Sequence, residues 1–220
     1  METTLGHESR VIEHAVIGGS STEAMTGAAA VVLGILGLAD IAPRFMIAIA
    51  SIALGVALIF EGAAVAAEYT RILTRSGDGT VENVELGGGV STQVGGGIAA
   101  VVLGVLALLN VDATTLMAIA AIVLGATMVF SSGVAARLNA LKIETASEQH
   151  EVAKRIARET LTAATGTQVL VGLAAAVLGI LALVGITPAT LILVAMLALG
   201  ASILLTGGAV IGKMLSLFAS

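Results

Sequence analysis

Long uncharged stretches alternate with short polar ones along this chain. Runs free of Asp, Glu, Lys and Arg cover 24–39, 45–60, 94–111, 113–136 and 160–212. A helix needs about 20 apolar residues, and no fewer than about 17, to cross a bilayer. The last run is long enough for two crossings, so the pattern predicts six membrane-spanning helices. Strands do not fit, because the runs are continuous, rich in Ala and Leu, and lack alternation.

The runs repeat. Residues 31–38 read VVLGILGL, 101–108 read VVLGVLAL and 176–183 read AVLGILAL. Gly34, Gly104 and Gly179 set the register, at offsets of 70 and 75 residues, and Gly55, Gly125 and Gly200 obey the same offsets in the following helix. The repeated unit is a helical hairpin, present at about 22–67, 92–137 and 167–212. Linkers lie at about 68–91 and 138–166, within a single membrane domain over 1–220. The predicted fold class is an all-α integral membrane protein with six transmembrane helices. They form three tandem hairpins in a pseudo-threefold internal repeat.

The hairpin turns read Asp40-Ile41-Ala42-Pro43, Asn110-Val111-Asp112-Ala113 and Gly185-Ile186-Thr187-Pro188. Asp, Asn or Gly in first place suits a left-handed cap on the first helix. Asp112 and Thr187 are N-cap candidates, and Pro43 and Pro188 stand where a first helical residue belongs. In the second linker, Thr145 with Glu148 reads as a capping box for a helix over 145–160 that runs into the fifth span. The stretch 76–89, with Gly77, Gly79 and Gly87–Gly89, reads as a loop. Residues 11–17 read as a short interfacial helix, with Ser20, Ser21 or Thr22 capping the first span.

Composition narrows the class. Hydrophobic residues make up 57% of the chain and charged ones 11%, against roughly 25% charged in soluble domains. Water is the wrong solvent for such a surface, which excludes a soluble enzyme and a disordered chain. Ten Lys+Arg against fifteen Asp+Glu leave a net charge of −5, so nucleic acid is not an expected partner. With no cysteine, disulfides and thiolate chemistry are excluded.

Charge placement gives an orientation. Arg10, Arg71, Arg75, Arg137, Lys142, Lys154, Arg155, Arg158 and Lys213 lie in tails and linkers, whereas only Arg44 lies at a hairpin turn. The positive-inside rule then puts both termini and both linkers in the cytoplasm. The expected location is a prokaryotic inner membrane, crossed several times.

Small residues predict the packing. Each first helix carries glycines seven apart: Gly27 and Gly34, Gly97 and Gly104, Gly172 and Gly179. Each second helix does likewise with Gly55 and Gly62, Gly125 and Ser132, Gly200 and Gly207. Seven residues are nearly two turns, so each pair forms a seam on one face where backbones approach. Aromatics are only 2% of the chain, with no Trp. The usual aromatic belt is missing, which suggests a perimeter that contacts protein as well as lipid, and so a homo-oligomer.

The glycine pattern G-x(2)-A-x(3)-G-I/V-L-A/G-L, a short turn with proline, and then L-G-x(6)-G resembles the six-span repeat of the HdeD family. It spans roughly 22–67, 92–137 and 167–212. The resemblance implies a bacterial inner-membrane protein associated with acid resistance, with no catalytic residues or cofactors to carry over. This chain departs from the pattern at Ala113, where proline is missing, and at Ser131-Ser132.

An ionisable group at membrane depth would be the clearest functional signal. Glu61 is the nearest. Eighteen residues separate it from Pro43, about 27 Å along a helix. That nearly crosses the apolar core of about 30 Å and puts Glu61 at the cytoplasmic boundary. The same arithmetic argues against a rotor-ring proteolipid, which needs a mid-membrane carboxylate. Thr22-Glu23, Thr92-Gln93 and Thr167-Gln168 open the first helices at that level, while Ser131 and Thr206 occupy the position of Glu61 in the other repeats. These nine residues form a candidate polar ring at the inner mouth, with capping and interfacial hydrogen bonding as the simpler reading. His7, His14 and His150 lie outside the spans, and no metal or cofactor site is expected.

Three functions are compatible with this reading. The first is a non-enzymatic packing, assembly or stress-related membrane component. The second is a channel or facilitator for a small neutral molecule, its path lined by the three hairpins. The third is an anchor subunit for a larger complex, which would make another membrane protein a partner.

Overall fold

The computed structural model describes residues 24–76, 83–145 and 151–218, and the surroundings of side chains within 24–66, 91–132 and 166–206. Six described helices follow one another: α1 (Ala24–Leu38), α2 (Pro43–Ser76), α3 (Asn83–Leu108), α4 (Ala113–Thr145), α5 (Glu151–Leu183) and α6 (Pro188–Phe218). The segments Pro43–Ala66, Ser91–Leu108, Ala113–Ser132, Gly166–Leu183 and Pro188–Thr206 are each long and apolar enough to cross a membrane. No strand occurs among the described residues. The chain is an all-α protein of the multi-pass membrane type. Val32, Ile35, Val102, Val105, Val177 and Ile180 stand exposed on α1, α3 and α5, as suits faces turned to hydrocarbon.

The turns follow from their chemistry. In the first, the Asp40 amide donates to the Gly37 carbonyl at 3.1 Å and the Ile41 amide to the Leu36 carbonyl at 3.0 Å. The Asn110 and Val111 amides bond Ala107 and Leu106 in the same way, and the Gly185 and Ile186 amides bond Ala182 and Leu181. This paired pattern is a Schellman cap, which needs a left-handed residue just past the helix. Asp40, Asn110 and Gly185 supply it, at φ 63°, 62° and 91°. The carbonyls of Ala42, Asp112 and Thr187 then accept the first bonds of α2, α4 and α6. A left-handed residue with a branched side chain costs about 1–2 kcal/mol. Asn110→Val is therefore expected to lower unfolding stability by about that amount, whereas Asn110→Gly leaves it level. Thermal unfolding in detergent, scored for both variants, checks this.

The 76–89 stretch differs from its loop expectation: helix α3 already begins at Asn83 and runs through Gly87–Gly89. Glycine costs a helix about 1 kcal/mol per residue in water. Next to an apolar phase, an open backbone amide or carbonyl costs several kcal/mol, so the helix is retained. The helix expected to lead into the fifth span begins at Glu151. Residues 11–17, Ser20 and Ser21 lie outside the described residues, as does His150.

Three helices form the centre. α2, α4 and α6 all touch one another. α3 packs on α2 and α4, and α5 packs on α4 and α6. α1 closes the arrangement against α6, where Gly27 faces Gly200 and Leu204 and Gly34 faces Leu197.

Candidate functional site

The central helices bury their apolar side chains in layers of three. Ile47, Met117 and Ile192 form one layer, Leu54, Leu124 and Leu199 the next, and Leu58, Met128 and Ile203 a third. All nine are at most 3% exposed. Their spacing of seven and four residues along each helix keeps them on one face. The last two layers enclose no space for a water molecule. The axis of the bundle is dry and filled at this depth.

Around this core the glycines spaced seven apart form close seams between hairpins, whereas Gly96 packs on Thr127 within one. A Cβ placed on Gly55 would lie 2.6 Å from the Gly97 carbonyl oxygen, and one on Gly97 equally close to the Gly55 carbonyl oxygen. Gly125 on α4 and Gly172 on α5 face each other in the same reciprocal way. Gly27 and Gly200 repeat it across α1 and α6, with the Gly27 Cβ position 2.9 Å from the Gly200 carbonyl oxygen. The other seam residue of each first helix meets mixed neighbours. At Gly104 these are Ile52 and the Ala48 carbonyl, at Gly179 Ile122 and the Ala118 carbonyl, and at Gly34 the Leu197 side chain. Backbone contact is thus closest at Gly27, Gly55, Gly97, Gly125 and Gly172, while Gly200 meets the Ala30 side chain first, at 2.8 Å. Gly62 faces Val94 and Gln93, and Ser132 takes the corresponding place on α4, buried, with its hydroxyl donating to the Val129 carbonyl at 2.8 Å. Gly207 lies on α6 beyond the residues whose surroundings are described.

Seven of the nine polar candidates fall within the described residues, and two of these meet across a seam. Gln93 is 3% exposed and sits beside the half-buried Glu61, across the α2–α3 seam. Its Nε2 completes no hydrogen bond of good geometry. The absent side chain of Gly62 lets α3 come close enough for this pairing, since a Cβ there would stand 3.4 Å from Gln93 Cβ. The equivalent hydroxyls turn to their own helices. Ser131 Oγ donates to the Met128 carbonyl at 3.2 Å and Thr206 Oγ1 to the Ser202 carbonyl at 3.0 Å. Thr92, Thr167 and Thr206 are exposed, and Gln168 is half-buried. Thr22 and Glu23 lie outside the described residues.

Two polar features had no clear signal in the sequence. Ser51, fully buried on α2, donates through Oγ to the Ala100 carbonyl of α3 at 3.1 Å. Thr127 on α4 fills the space left by Gly96 on α3, and its hydroxyl donates to the Val123 carbonyl at 2.7 Å. Ser51 shares its repeat position with Ala121 and Met196, so the periodicity did not single it out. Both hydroxyls satisfy themselves on backbone carbonyls, as polar groups buried between membrane helices do. Among the described residues no three His, Asp or Glu side chains converge.

Against protein-family models, curated proteins and solved structures alike, the chain has no match.

Proposed function

We propose that this chain is a non-enzymatic packing and assembly component of a prokaryotic inner membrane, with the stress-related role that its HdeD-like resemblance implies. In this reading α1 is the first of six spans. The three hairpins stand about a pseudo-threefold axis, and the termini and linkers are cytoplasmic. The chain then assembles with copies of itself through its exposed apolar perimeter.

One observation carries the reading: the axis where a conduit would run is closed by Leu54, Leu124, Leu199, Leu58, Met128 and Ile203, with no room for water. A facilitator of polar solutes needs a lined path, and these layers offer hydrocarbon instead. The contacts support the internal repeat, because Gly55–Gly97, Gly125–Gly172 and Gly200–Gly27 use the same positions of successive hairpins.

The test is reconstitution into vesicles. Water and glycerol flux, followed by stopped-flow light scattering, is expected to equal that of protein-free vesicles. Native mass spectrometry is expected to return a defined multimer. Flux above background, or a strict monomer, would overturn the proposal.

A further inference from the structure

The layered spacing of the central helices continues past Leu58, Met128 and Ile203. Glu61 lies seven residues beyond Leu54 and three beyond Leu58, and Ser131 lies seven beyond Leu124 and three beyond Met128. On a helix those spacings keep a residue on the face already turned to the axis. The next layer, on the side away from the hairpin turns, therefore opens with a carboxyl from α2 and a hydroxyl from α4.

Gln93 joins them from α3. Thr127 fills the space left by Gly96. α3 and α4 run antiparallel, so four residues on from Thr127 and three back from Gly96 reach the same level, which sets Ser131 level with Gln93 on facing sides. On its other flank Gln93 sits beside Glu61, where Gly62 lets the helices approach: a Cβ there would stand 3.4 Å from the Gln93 Cβ. Three helices thus bring polar side chains to one level, directly beyond layers that enclose no water.

Two features of this cluster are unbalanced. Gln93 is 3% exposed, and its Nε2 is buried without a hydrogen bond. Among the residues whose side-chain surroundings are described, the one basic residue is Arg44, seventeen residues back along α2, about 26 Å away. A carboxylate drawn out of water needs a counter-charge. The two ends of a carboxamide have nearly the same shape, and a half-turn of Gln93 sets Oε1 where the unpaired donor lies. The Ser131 hydroxyl has committed its proton to the Met128 carbonyl at 3.2 Å, so the lone pairs of its oxygen remain. A carboxylate, a carboxamide oxygen and a hydroxyl oxygen make a ligand set for a hard cation. One negative charge among them matches one positive charge.

We propose that Glu61, Gln93 and Ser131 bind a single small monovalent cation, an alkali ion or ammonium, which ties α2, α3 and α4 together. The equivalent residues one repeat on are Ser131, Gln168 and Thr206, which offer no carboxylate, and Gln168 is only half-buried. The site goes beyond the assembly role and does not depend on it.

The full chain in detergent is melted in sodium, potassium, ammonium and N-methylglucamine chloride at one ionic strength. At least one of the three small cations is expected to raise the melting temperature by several degrees over N-methylglucamine. The rise is expected to depend on that cation's concentration, as for any ligand that binds only the folded state. The order of the three salts names the ion. Glu61→Gln and Gln93→Leu are expected to lose the difference, and Gln168→Leu to retain it. Equal melting of the unaltered chain in all four salts, or a difference that survives Glu61→Gln, would overturn the site. The salt series uses the unaltered protein, so the decision stands even where a variant folds poorly. Solute flux through vesicles together with an intact cation effect would instead overturn the packing role and leave the site standing.

Discussion

Gly55→Leu and Gly125→Leu are expected to abolish the folded state in detergent. A Cβ on Gly55 would stand 2.6 Å from the Gly97 carbonyl oxygen and 3.0 Å from the Val101 amide nitrogen. One on Gly125 would meet the Gly172 carbonyl oxygen and stand 2.8 Å from the Ala176 amide nitrogen. Both sets of neighbours are backbone, which cannot swing aside, so the helices must separate. Separation forfeits the dispersion contacts that hold membrane helices together. Overpacking typically costs about 1–3 kcal/mol, and a rigid backbone neighbour puts these sites at or above the top of that range. Gly34→Leu meets the Leu197 side chain and is expected to be milder. Gly95→Leu and Gly166→Leu enter open space and are expected to be tolerated. Thermal unfolding and size-exclusion profiles of all five variants check the ranking. Equal stability across the series would remove the inter-hairpin seams from the account.

The second large effect is expected on the axis. Changing Leu54, Leu124 and Leu199 together to alanine removes a complete buried layer. Single Leu→Ala changes in packed cores cost about 2–5 kcal/mol, the amount rising with the cavity left behind. Three in one layer couple through a shared void, and together they are expected to bring the chain to the edge of unfolding. Their readout separates the packing role from conduction. A structural plug gives a collapsed melting temperature. A gate gives a preserved melting temperature and raised solute flux through vesicles, and that result would reverse the functional proposal.

What could be read in advance follows from the solvent. The apolar runs demand helices, because a backbone in lipid must satisfy its own hydrogen bonds. The turns were legible because a left-handed cap admits few residue types, and Asp40, Asn110 and Gly185 are among them. The 76–89 stretch was misread for the opposite reason. Glycine signals a loop in water, but beside the apolar phase α3 keeps its helix from Asn83 onward. The Glu61–Gln93 pairing was half legible: both residues were placed at the inner level, but nothing indicated that the other hydroxyls would bond their own helices instead.

By itself the sequence determined the helices, the register of the repeat and the face on which each seam lies, because these depend on period and on backbone satisfaction within one segment. It did not determine which face meets which. Glycines seven apart recur on first and second helices alike, so a seam within a hairpin and a seam between hairpins look the same along the chain. Only the tertiary structure decided that Gly55 meets Gly97, Gly125 meets Gly172, and Gly200 reaches back to Gly27. Only there do Leu54, Leu124 and Leu199 converge and close the axis. The physical reason is that packing between membrane helices is a matter of surface shape, and apolar side chains are equally at home against lipid or against each other. Hydrophobicity alone therefore chooses no partner, and the fit of two particular backbones does.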